Sequence, residues 1–270
     1  MVKVPRPDGG MVSYVPSYFS ITRYLPKGLQ DSLCGKREWS KGTRAPEDSD
    51  WLAWQADSMQ FYTSQQRGGI GKIVNEAGYK IISTLDLSGK RCLEIGPGIL
   101  PHMSHWRGKP DRYDIADISP EMLRESEKKL DAARIPYASF LLDGSPALPM
   151  GDEEYDVIIS FYSLEHLYPL EAHLEEFFRV LRPKGTLVGA IPSEGGLAWG
   201  VGRMLTSRRY AKRNFSWDFD KITAWEHCNT AGEALAALDC RFSHVSQRYW
   251  PFLIPLIDVN LIVQFVYEKS

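Results

Sequence analysis

From Arg91 onward, short apolar segments alternate with segments of helical periodicity, and this alternation constrains the fold more than any other feature. Such a rhythm is typical of a parallel sheet whose strands are joined by crossover helices. We therefore predict an α/β fold built on one mostly parallel sheet. The predicted strands are residues 91–95, 113–118, 137–142, 155–160 and 186–191, and two more near 242–250 and 260–267.

Several of the connecting segments carry signals for the start of a helix. Ser119-Pro120-Glu121 combines a capping side chain, a proline suited to the first helical position and an acid suited to the positive end of a helix dipole. We predict a helix from there to about residue 133. Further helices are predicted over residues 170–181 and 230–238, and over residues 51–85 with a break at two glycines.

The length of the chain, 270 residues, suits one domain with additions better than two complete domains. Residues 1–85 lack the strand–helix rhythm, and we predict a helical, aromatic-rich extension there that could act as a lid. Residues 86–270 are predicted to form the core. The rhythm stops after residue 192, and so long a connection predicts a functional insertion at about residues 193–228. The aromatic residues of the extension are Tyr14, Tyr18, Phe19, Tyr24, Trp39, Trp51, Trp54, Phe61 and Tyr62.

The charge and cysteine content exclude some classes of partner. A formal net charge of −2 provides no basic field for nucleic-acid phosphates, so we expect no nucleic-acid partner. The four cysteines lack zinc-ligand spacing, which predicts free thiols and no metal site. The apolar stretch at 249–267 contains prolines and polar residues, so we expect no transmembrane segment and a cytoplasmic location. The oligomeric state is left open.

A strand that ends in an acid and two spaced glycines stands at residues 92–98, Cys-Leu-Glu-Ile-Gly-Pro-Gly. Glycine is needed where the backbone turns sharply off a strand and a ligand approaches its atoms closely. Asp117 ends the next strand, about 20 residues later, where a carboxylate can accept hydrogen bonds from both ribose hydroxyls. A bare turn and a helix-capping aspartate are the alternatives. A dinucleotide-binding fingerprint is disfavoured because Pro101 stands where its third glycine would be.

Four segments in this order resemble the class I S-adenosylmethionine-dependent methyltransferases that act on small molecules. They are LEIGPG (93–98), DISPEML (117–123), YDVIISFYSLEHL (155–167) and VLRPKGTLV (180–188). The resemblance implies a Rossmann-like, seven-stranded, mostly parallel sheet with helices on both faces. It also implies S-adenosylmethionine as the cofactor.

The resemblance further implies which residues bind the methionine and ribose parts of the cofactor. Glu94, Gly96 and Gly98 would line these parts, and Asp117 would hold the ribose hydroxyls. The family often has one more glycine two places after Gly98. This chain has Leu100 there, so a different local turn is expected.

By the same resemblance, five more residues would surround the adenine and the sulfonium. Asp143 would face the adenine amino group, with Ile118 and Gly144 beside the ring. Ser160 and Phe161 would border the sulfonium. The segment after Asp143 is one residue longer than is usual in the family, which makes the adenine contact less secure than the ribose contact.

Three histidines are candidates for a general base, which a hydroxyl acceptor needs and a deprotonated amine does not. His166 follows the fourth strand, and the pair Glu165-His166 would lie beside the substrate opening. His227 lies in a polar cluster at the end of the insertion. His102 follows the glycine turn, where packing near the cofactor is the stronger expectation. We take His227 and His166 as the candidate bases, with structural hydrogen bonding as the alternative for each.

The insertion offers the clearest indication of the substrate. Trp199, Arg208 and Arg209 are the candidate substrate residues, because a cluster of cations can bind phosphate or carboxylate. The same cations, interleaved with Trp199, Met204 and Leu205, could form an interfacial helix on an anionic membrane. A solvated helix face is the third alternative. The basic residues are Arg203, Arg208, Arg209, Lys212 and Arg213.

We therefore predict an enzyme that moves a methyl group from S-adenosylmethionine to an O or N atom of a small acceptor. An anionic acceptor such as a sugar, a nucleotide-linked sugar or a lipid-linked glycan suits the basic insertion. The alternative is a non-catalytic S-adenosylmethionine-binding or scaffold protein with the same fold. The intact set of Glu94, Gly96, Gly98 and Asp117 disfavours that alternative.

Overall fold

The computed structural model describes residues 3–5, 11–13, 20–35, 47–66 and 69–270. The described strands are β1 (Lys3–Pro5), β2 (Met11–Ser13), β3 (Arg91–Ile95), β4 (Arg112–Asp117), β5 (Ser139–Leu141), β6 (Tyr155–Phe161), β7 (Leu181–Pro192), β8 (Ser243–Trp250) and β9 (Ile262–Glu268). The described α-helices are α1 (Lys27–Cys34), α2 (Ser49–Gln66), α3 (Gly69–Tyr79), α4 (Pro120–Ala132), α5 (Leu170–Val180), α6 (Leu197–Leu205), α7 (Ser207–Asn214), α8 (Phe219–Glu226) and α9 (Ala231–Arg241). The predicted aromatic residues Tyr14, Tyr18, Phe19 and Trp39 lie outside the described residues, as does the side chain of Tyr62.

Seven strands form one sheet in the order β5-β4-β3-β6-β7-β9-β8, and β1 and β2 pair separately. The five strands from β5 to β7 pair in parallel, whereas β9 runs antiparallel to both β7 and β8. The predicted seven-stranded, mostly parallel, Rossmann-like sheet is confirmed. Because the parallel strands share one direction, their carboxyl ends meet at one edge, where open α/β sheets bind ligands.

Alternate side chains of the central strands enter two separate cores, one on each face of the sheet. Leu93 and Ile158 belong to the core that α5 and α9 cover. Cys92 and Val157, their neighbours in the chain, belong to the core that α3 and α4 cover. This alternation follows from the period of two along a strand, and it explains the uninterrupted apolar runs of the sequence. Helices therefore lie on both faces, as predicted.

The N-terminal helix α2 packs against the helices that follow β7. Trp51 joins Trp217, Phe219, Ile222 and Trp225 in a buried cluster of its own. Rings of this cluster meet both edge-on, as in the pair of Trp51 and Trp225 at 6.2 Å between centroids, and stacked, as in the pair of Trp217 and Phe219. The region predicted as an insertion thus contains α6, α7 and α8. The domain boundary at residue 85 remains a prediction.

Most of the predicted helix boundaries are confirmed, and two details differ. Ser119 caps α4 through the N–H of Met122, and Thr230 forms the predicted capping box with Glu233. The third parallel strand is shorter than predicted, at Ser139–Leu141. Residues 182–185, which separate the predicted helix from the predicted strand, instead form an irregularity within β7, where Lys184 has a φ of 64°.

Among the described residues, no helix is both long enough and apolar enough to span a membrane. The four cysteines are free thiols, as predicted, and three of them are buried.

Replacement of Gly189 by alanine should destabilise the sheet strongly. An added Cβ would lie 1.8 Å from the carbonyl oxygen of Ser160, which belongs to the neighbouring strand and cannot move aside. We expect a loss of more than about 3 kcal/mol in the free energy of unfolding, measured by urea denaturation. Gly28→Ala is the control. Its Cβ would enter open space on α1, where alanine should be neutral or stabilise by up to about 1 kcal/mol.

Candidate active site

A cavity of about 790 Å³ opens at the carboxyl edge of the parallel strands. The turn after β3 forms its floor, with Glu94, Gly96 and Gly98 among the lining residues. Helices α2, α6 and α8 contribute the opposite wall. The cavity therefore joins the glycine turn to the helical layer that contains the predicted insertion.

The backbone of the turn after β3 needs its glycines. Gly96 has a φ of 70° and Gly98 a φ of 55°, both in the left-handed region that glycine favours. At Gly98 an added Cβ would meet no atom within 4 Å, so open space lies beside this backbone. Ser126 on α4 fixes the turn by donating its hydroxyl hydrogen to the carbonyl of Gly98 at 2.9 Å. A ligand can thus approach this backbone closely.

Leu100 stands where the family often has a glycine, and the structure shows how a leucine is accommodated there. It has a φ of 48°, so it adopts the same left-handed conformation that a glycine would adopt there. Its side chain is 1% exposed and packs in the core shared with α3 and α4. Burial of the leucine offsets the cost of its backbone conformation, about 1–2 kcal/mol.

Glu94 is almost fully buried and is held by two donors. Tyr113 donates its hydroxyl hydrogen to Oε2 at 2.7 Å, and the Nε2 of His102 lies 2.8 Å from Oε1. The indole N–H of Trp106 donates to Nδ1 of His102 at 2.9 Å, so Nδ1 acts as an acceptor. His102 is therefore neutral, with its proton on Nε2 and donated to Glu94. This network fixes the acid at the base of the cavity, and His102 serves a structural role in it.

The ends of β4 and β5 carry the residues predicted to hold adenosine. Asp117 accepts the N–H of Ser119 at 2.8 Å, and burial raises the pKa of its carboxyl to about 6. Beside it, Ile118 is 67% exposed, an apolar surface that an adenine ring would cover. Asp143 is exposed and accepts the N–H of Ser145, and Gly144 has a φ of 85° with open space beside it. These four residues share the edge of the sheet but do not line the cavity.

Two imidazole rings, those of His166 and His227, meet at the far side of the cavity. Their ring centroids are 4.8 Å apart. Nδ1 of His166 lies 2.7 Å from the carbonyl oxygen of Glu226, which can only accept, so this nitrogen carries a proton. Nδ1 of His227 lies 3.1 Å from the carboxylate of Glu194. In the neutral form of each ring with Nδ1 protonated, Nε2 carries the lone pair that a general base needs.

Glu194 is a buried anion that three side chains share. It is 1% exposed, and it accepts hydrogen bonds from Arg203 at 2.9 Å and from the indole of Trp199 at 2.7 Å as well as facing His227. Arg203, also buried, donates in addition to the carbonyl of Leu33 on α1. The ion pair therefore connects α1, α6 and the candidate base. Sequence reasoning missed Glu194, because a lone glutamate after a strand carries no spacing signal.

Glu165 adds a second buried carboxyl group to the wall. It is 4% exposed, and its Oε2 has no hydrogen-bond partner among the described residues. Burial raises the pKa of this group to about 7, the opposing effect of His166 being smaller. A buried oxygen without a partner at the cavity wall is suited to a polar atom of a ligand.

Apart from the four at the ends of β4 and β5, the predicted site residues fall into three groups. Glu94, Gly96, Gly98, Phe161, His166, Trp199 and His227 line one cavity. Ser160 is buried beneath it, where its hydroxyl lies 2.6 Å from that of Ser163. Arg208 and Arg209 do not line the cavity, since Arg208 is paired with Asp220 and Arg209 is exposed.

Comparison with known proteins agrees with this geometry. Residues 93–189 match a family model described as a methyltransferase domain, a little over a third of the chain. Residues 93–189 thus resemble a methyltransferase domain, as the sequence motifs predict. The match contains the glycine turn, the end of β4 and the strand that leads to His166.

Two curated relatives are similar to part of the chain. One is the ubiquinone/menaquinone biosynthesis C-methyltransferase UbiE of Yersinia enterocolitica, 31% identical over 113 residues that cover 39% of this chain and 45% of the relative. The other is the malonyl-[acyl-carrier protein] O-methyltransferase of Hamiltonella defensa, 29% identical over 123 residues that cover 45% of this chain and 46% of the relative. The chain thus matches less than half the length of each.

Solved structures extend the likeness of the fold beyond the matched domain. The crystal structure of a SAM-dependent methyltransferase from Aquifex aeolicus superimposes with a TM-score of 0.52 and 15% sequence identity, over 79% of this chain and 99% of that chain. At this identity the likeness concerns the fold alone.

The residues of the methyltransferase domain fit S-adenosylmethionine. The backbone of Gly98 faces open space, as an approaching ribose or methionine group requires. Asp117 supplies an acceptor for ribose hydroxyls, and Ile118 supplies an uncovered apolar surface for adenine. Phe161 and Glu94 line the cavity into which the methionine end would extend.

Removal of the shared anion should destabilise the helical wall of the cavity. In Glu194→Ala, the buried guanidinium of Arg203 loses its counter-charge, and we expect a loss of about 3–5 kcal/mol in the free energy of unfolding. Denaturant unfolding measures the loss. The control is Glu121→Ala, which breaks an exposed pair with Arg124 and should cost less than about 1 kcal/mol. Equal effects of the two substitutions would contradict a buried, structural ion pair.

Proposed function

We propose that this protein transfers the methyl group of S-adenosylmethionine to a small, largely apolar acceptor. One observation supports this most strongly: a single cavity joins the glycine turn of the methyltransferase domain to the histidine pair. When bound, S-adenosylmethionine supplies a methyl group on a positively charged sulfur. The residues of the chain hold donor and acceptor together, exclude water and move a proton.

The wall of the cavity favours an apolar acceptor over an anionic one. Four aromatic rings from α2, from α8 and from the segment before α8 line the outer part, those of Trp54, Phe61, Trp217 and Phe219. Among the described lining residues, Arg203 is the one lysine or arginine, and Glu194 already neutralises it. Because the basic residues of α7 lie elsewhere, the wall gives no support to the expected anionic sugar.

We assign the role of general base to His227. Its Nδ1 faces the buried carboxylate of Glu194, which would fix the ring and stabilise the imidazolium formed when Nε2 takes a proton from an acceptor hydroxyl. His166, with its own Nδ1 held by the carbonyl of Glu226, orients the neighbouring ring edge-on. Glu165, whose pKa is raised to about 7, lines the same cavity. An oxygen acceptor suits this arrangement best.

The relatives leave the methylated atom undetermined. One is named as a C-methyltransferase of ubiquinone/menaquinone biosynthesis and the other as a malonyl-[acyl-carrier protein] O-methyltransferase. Neither name specifies methylation of a nitrogen atom, which the sequence analysis also predicted as a possible outcome. Our choice of oxygen therefore depends on the histidine pair of this chain.

Calorimetry and turnover measurements test the proposal directly. S-Adenosylmethionine should bind and NAD should not, and a panel of phenols and quinols should release S-adenosylhomocysteine. Binding without turnover on any apolar hydroxyl compound would favour the non-catalytic scaffold. Failure of S-adenosylmethionine to bind would reject the function altogether.

The affinity for S-adenosylmethionine should depend on the ionisation of Asp117. Its pKa is raised to about 6, so the ionised acceptor is present above this pH and is lost as the pH falls below it. Affinity measured by calorimetry should accordingly be highest above pH 7 and decline through about pH 6. Asp117→Asn should weaken binding about ten- to a hundredfold at neutral pH and remove this decline, because its amide does not titrate. An unchanged pH profile in that variant would exclude the ribose role.

Replacement of each histidine in turn should show which of the two acts as the general base. His227→Gln should lower kcat about 10²- to 10⁴-fold and leave the affinity for S-adenosylmethionine intact, because proton removal is lost while the cofactor contacts remain. His166→Gln should have a smaller effect on kcat. The measurement is release of S-adenosylhomocysteine with the best acceptor of the panel. A normal kcat in His227→Gln would contradict the assignment.

A further inference from the structure

The loop between β8 and β9 presents consecutive apolar side chains to solvent. Phe252, Leu253, Ile254 and Leu256 are 62%, 76%, 49% and 47% exposed. Asn260, which is fully buried, holds the backbone of this loop through three hydrogen bonds. Its Oδ1 accepts the N–H of Phe252, and its Nδ2 donates to the carbonyls of Ile254 and Leu256 at 2.7 and 2.8 Å. Because these backbone groups are satisfied inward, the apolar side chains remain on the outside.

Leu253, at the tip of this loop, has two features that are unfavourable for stability. It has a φ of 58°, a conformation that disfavours leucine, and its side chain is the most exposed of the four. Strained backbone and contiguous exposed apolar residues are both enriched at binding surfaces. The loop thus has the character of a docking element.

The outer side of α6 continues the apolar surface. Leu197, Val201 and Leu205 are spaced by four residues, so they lie along one side of the helix, and all three are exposed. Asp258 ties this helix to the loop, because its Oδ1 accepts the N–H of Leu197 at 3.0 Å. Its Oδ2 accepts the N–H of Ile21, another exposed residue. We call this surface the apolar face: Ile21, Leu197, Val201, Leu205, Phe252, Leu253, Ile254 and Leu256.

A basic surface adjoins the apolar face. Helix α7 follows α6 after a single residue, and Arg209, Lys212 and Arg213 stand at positions i, i+3 and i+4 of it, all exposed. Arg208 is turned away toward Asp220. The chain as a whole is acidic, with a net charge of −2, so this concentration of cations is local.

We propose that the apolar face and the basic side of α7 dock together on an anionic phospholipid membrane. Exposed apolar side chains can enter the boundary between headgroups and acyl chains while adjacent cations attract anionic headgroups. A symmetric dimer through the same surface would bring two copies of the basic helix together, where like charges repel. Charge complementarity therefore selects the membrane over a second copy of the chain. The inward-facing Trp199, by contrast, does not belong to this surface.

The docking surface lies beside the mouth of the cavity. Pro192 pairs with Ile262, so the loop from β8 to β9 projects from the same sheet edge as the glycine turn. Leu205 belongs both to the apolar face and to the cavity lining. An apolar acceptor dissolved in the bilayer would therefore reach the cavity directly. Only this last step rests on the proposed methyl transfer, and docking itself does not.

Vesicle flotation of the full chain tests the docking. Vesicles of phosphatidylcholine with phosphatidylglycerol should bind the protein, and vesicles of phosphatidylcholine alone should bind it much less. Added salt should weaken binding, because headgroup attraction is screened.

Phe252→Glu/Leu253→Asp should reduce the bound fraction at least tenfold, and aspartate tolerates the left-handed backbone at position 253. Val245→Asp is the control, an exposed apolar residue near the far end of β8, and should bind like the natural chain.

Paired charge reversals test the basic part. Lys212→Glu/Arg213→Glu should lower affinity for the anionic vesicles by at least about fivefold for each charge removed. Arg124→Glu/Lys128→Glu on α4 changes the net charge equally and should bind normally. Equal losses in both double variants would overturn the assigned surface. Concentration-dependent dimerisation abolished by the loop variant, without vesicle binding, would overturn the membrane and identify a second copy instead.

Binding of S-adenosylmethionine separates this proposal from the proposed function. The loop variant should retain the affinity of the natural chain for S-adenosylmethionine and its thermal unfolding temperature while losing the vesicles. A natural chain that binds S-adenosylmethionine but floats with neither kind of vesicle would contradict docking and leave methyl transfer intact. A chain that floats with anionic vesicles but does not bind S-adenosylmethionine would contradict the function and leave docking intact.

Discussion

The parallel pairing of five strands is the constraint on which the rest of the molecule depends. Because β5, β4, β3, β6 and β7 share one direction, every loop that follows them emerges at one edge. The glycine turn, Asp117 and the Leu164–His166 segment are thereby neighbours in space, although more than 60 residues separate the first from the last. Each carries little specificity alone, and their convergence on one edge gives the site its chemistry.

A single buried anion organises the other wall of the site. Glu194 follows the end of β7 and accepts from Trp199 and Arg203 while facing His227. Burial of an ion pair is expensive unless each charge is well bonded, and here the pair also positions a candidate base. Arg203 is therefore a structural cation rather than one available to a substrate. This explains why an arginine-rich insertion can enclose a largely apolar cavity.

The sequence predicted the sheet and the turn because both depend on local patterns. Strand periodicity, the capping residues at Ser119 and Thr230 and the glycines at 96 and 98 are readable from neighbours in the chain. Glu194 was missed because its role arises from three partners brought together by folding. The basic cluster was misleading for the same reason, since a sequence does not show that Arg208 meets Asp220. Leu100 adopts a glycine conformation that only its buried environment permits.

The aromatic wall formed by α2 and the helical layer after β7 has an optical consequence. Indole groups at Trp54, Trp199 and Trp217 all line the one cavity, at positions drawn from well-separated parts of the chain. Any occupant that displaces water from this space changes the polarity around these chromophores. The emission of the natural tryptophans should consequently report occupancy of the cavity without an attached label, so the molecule carries an intrinsic probe for a search among candidate acceptors.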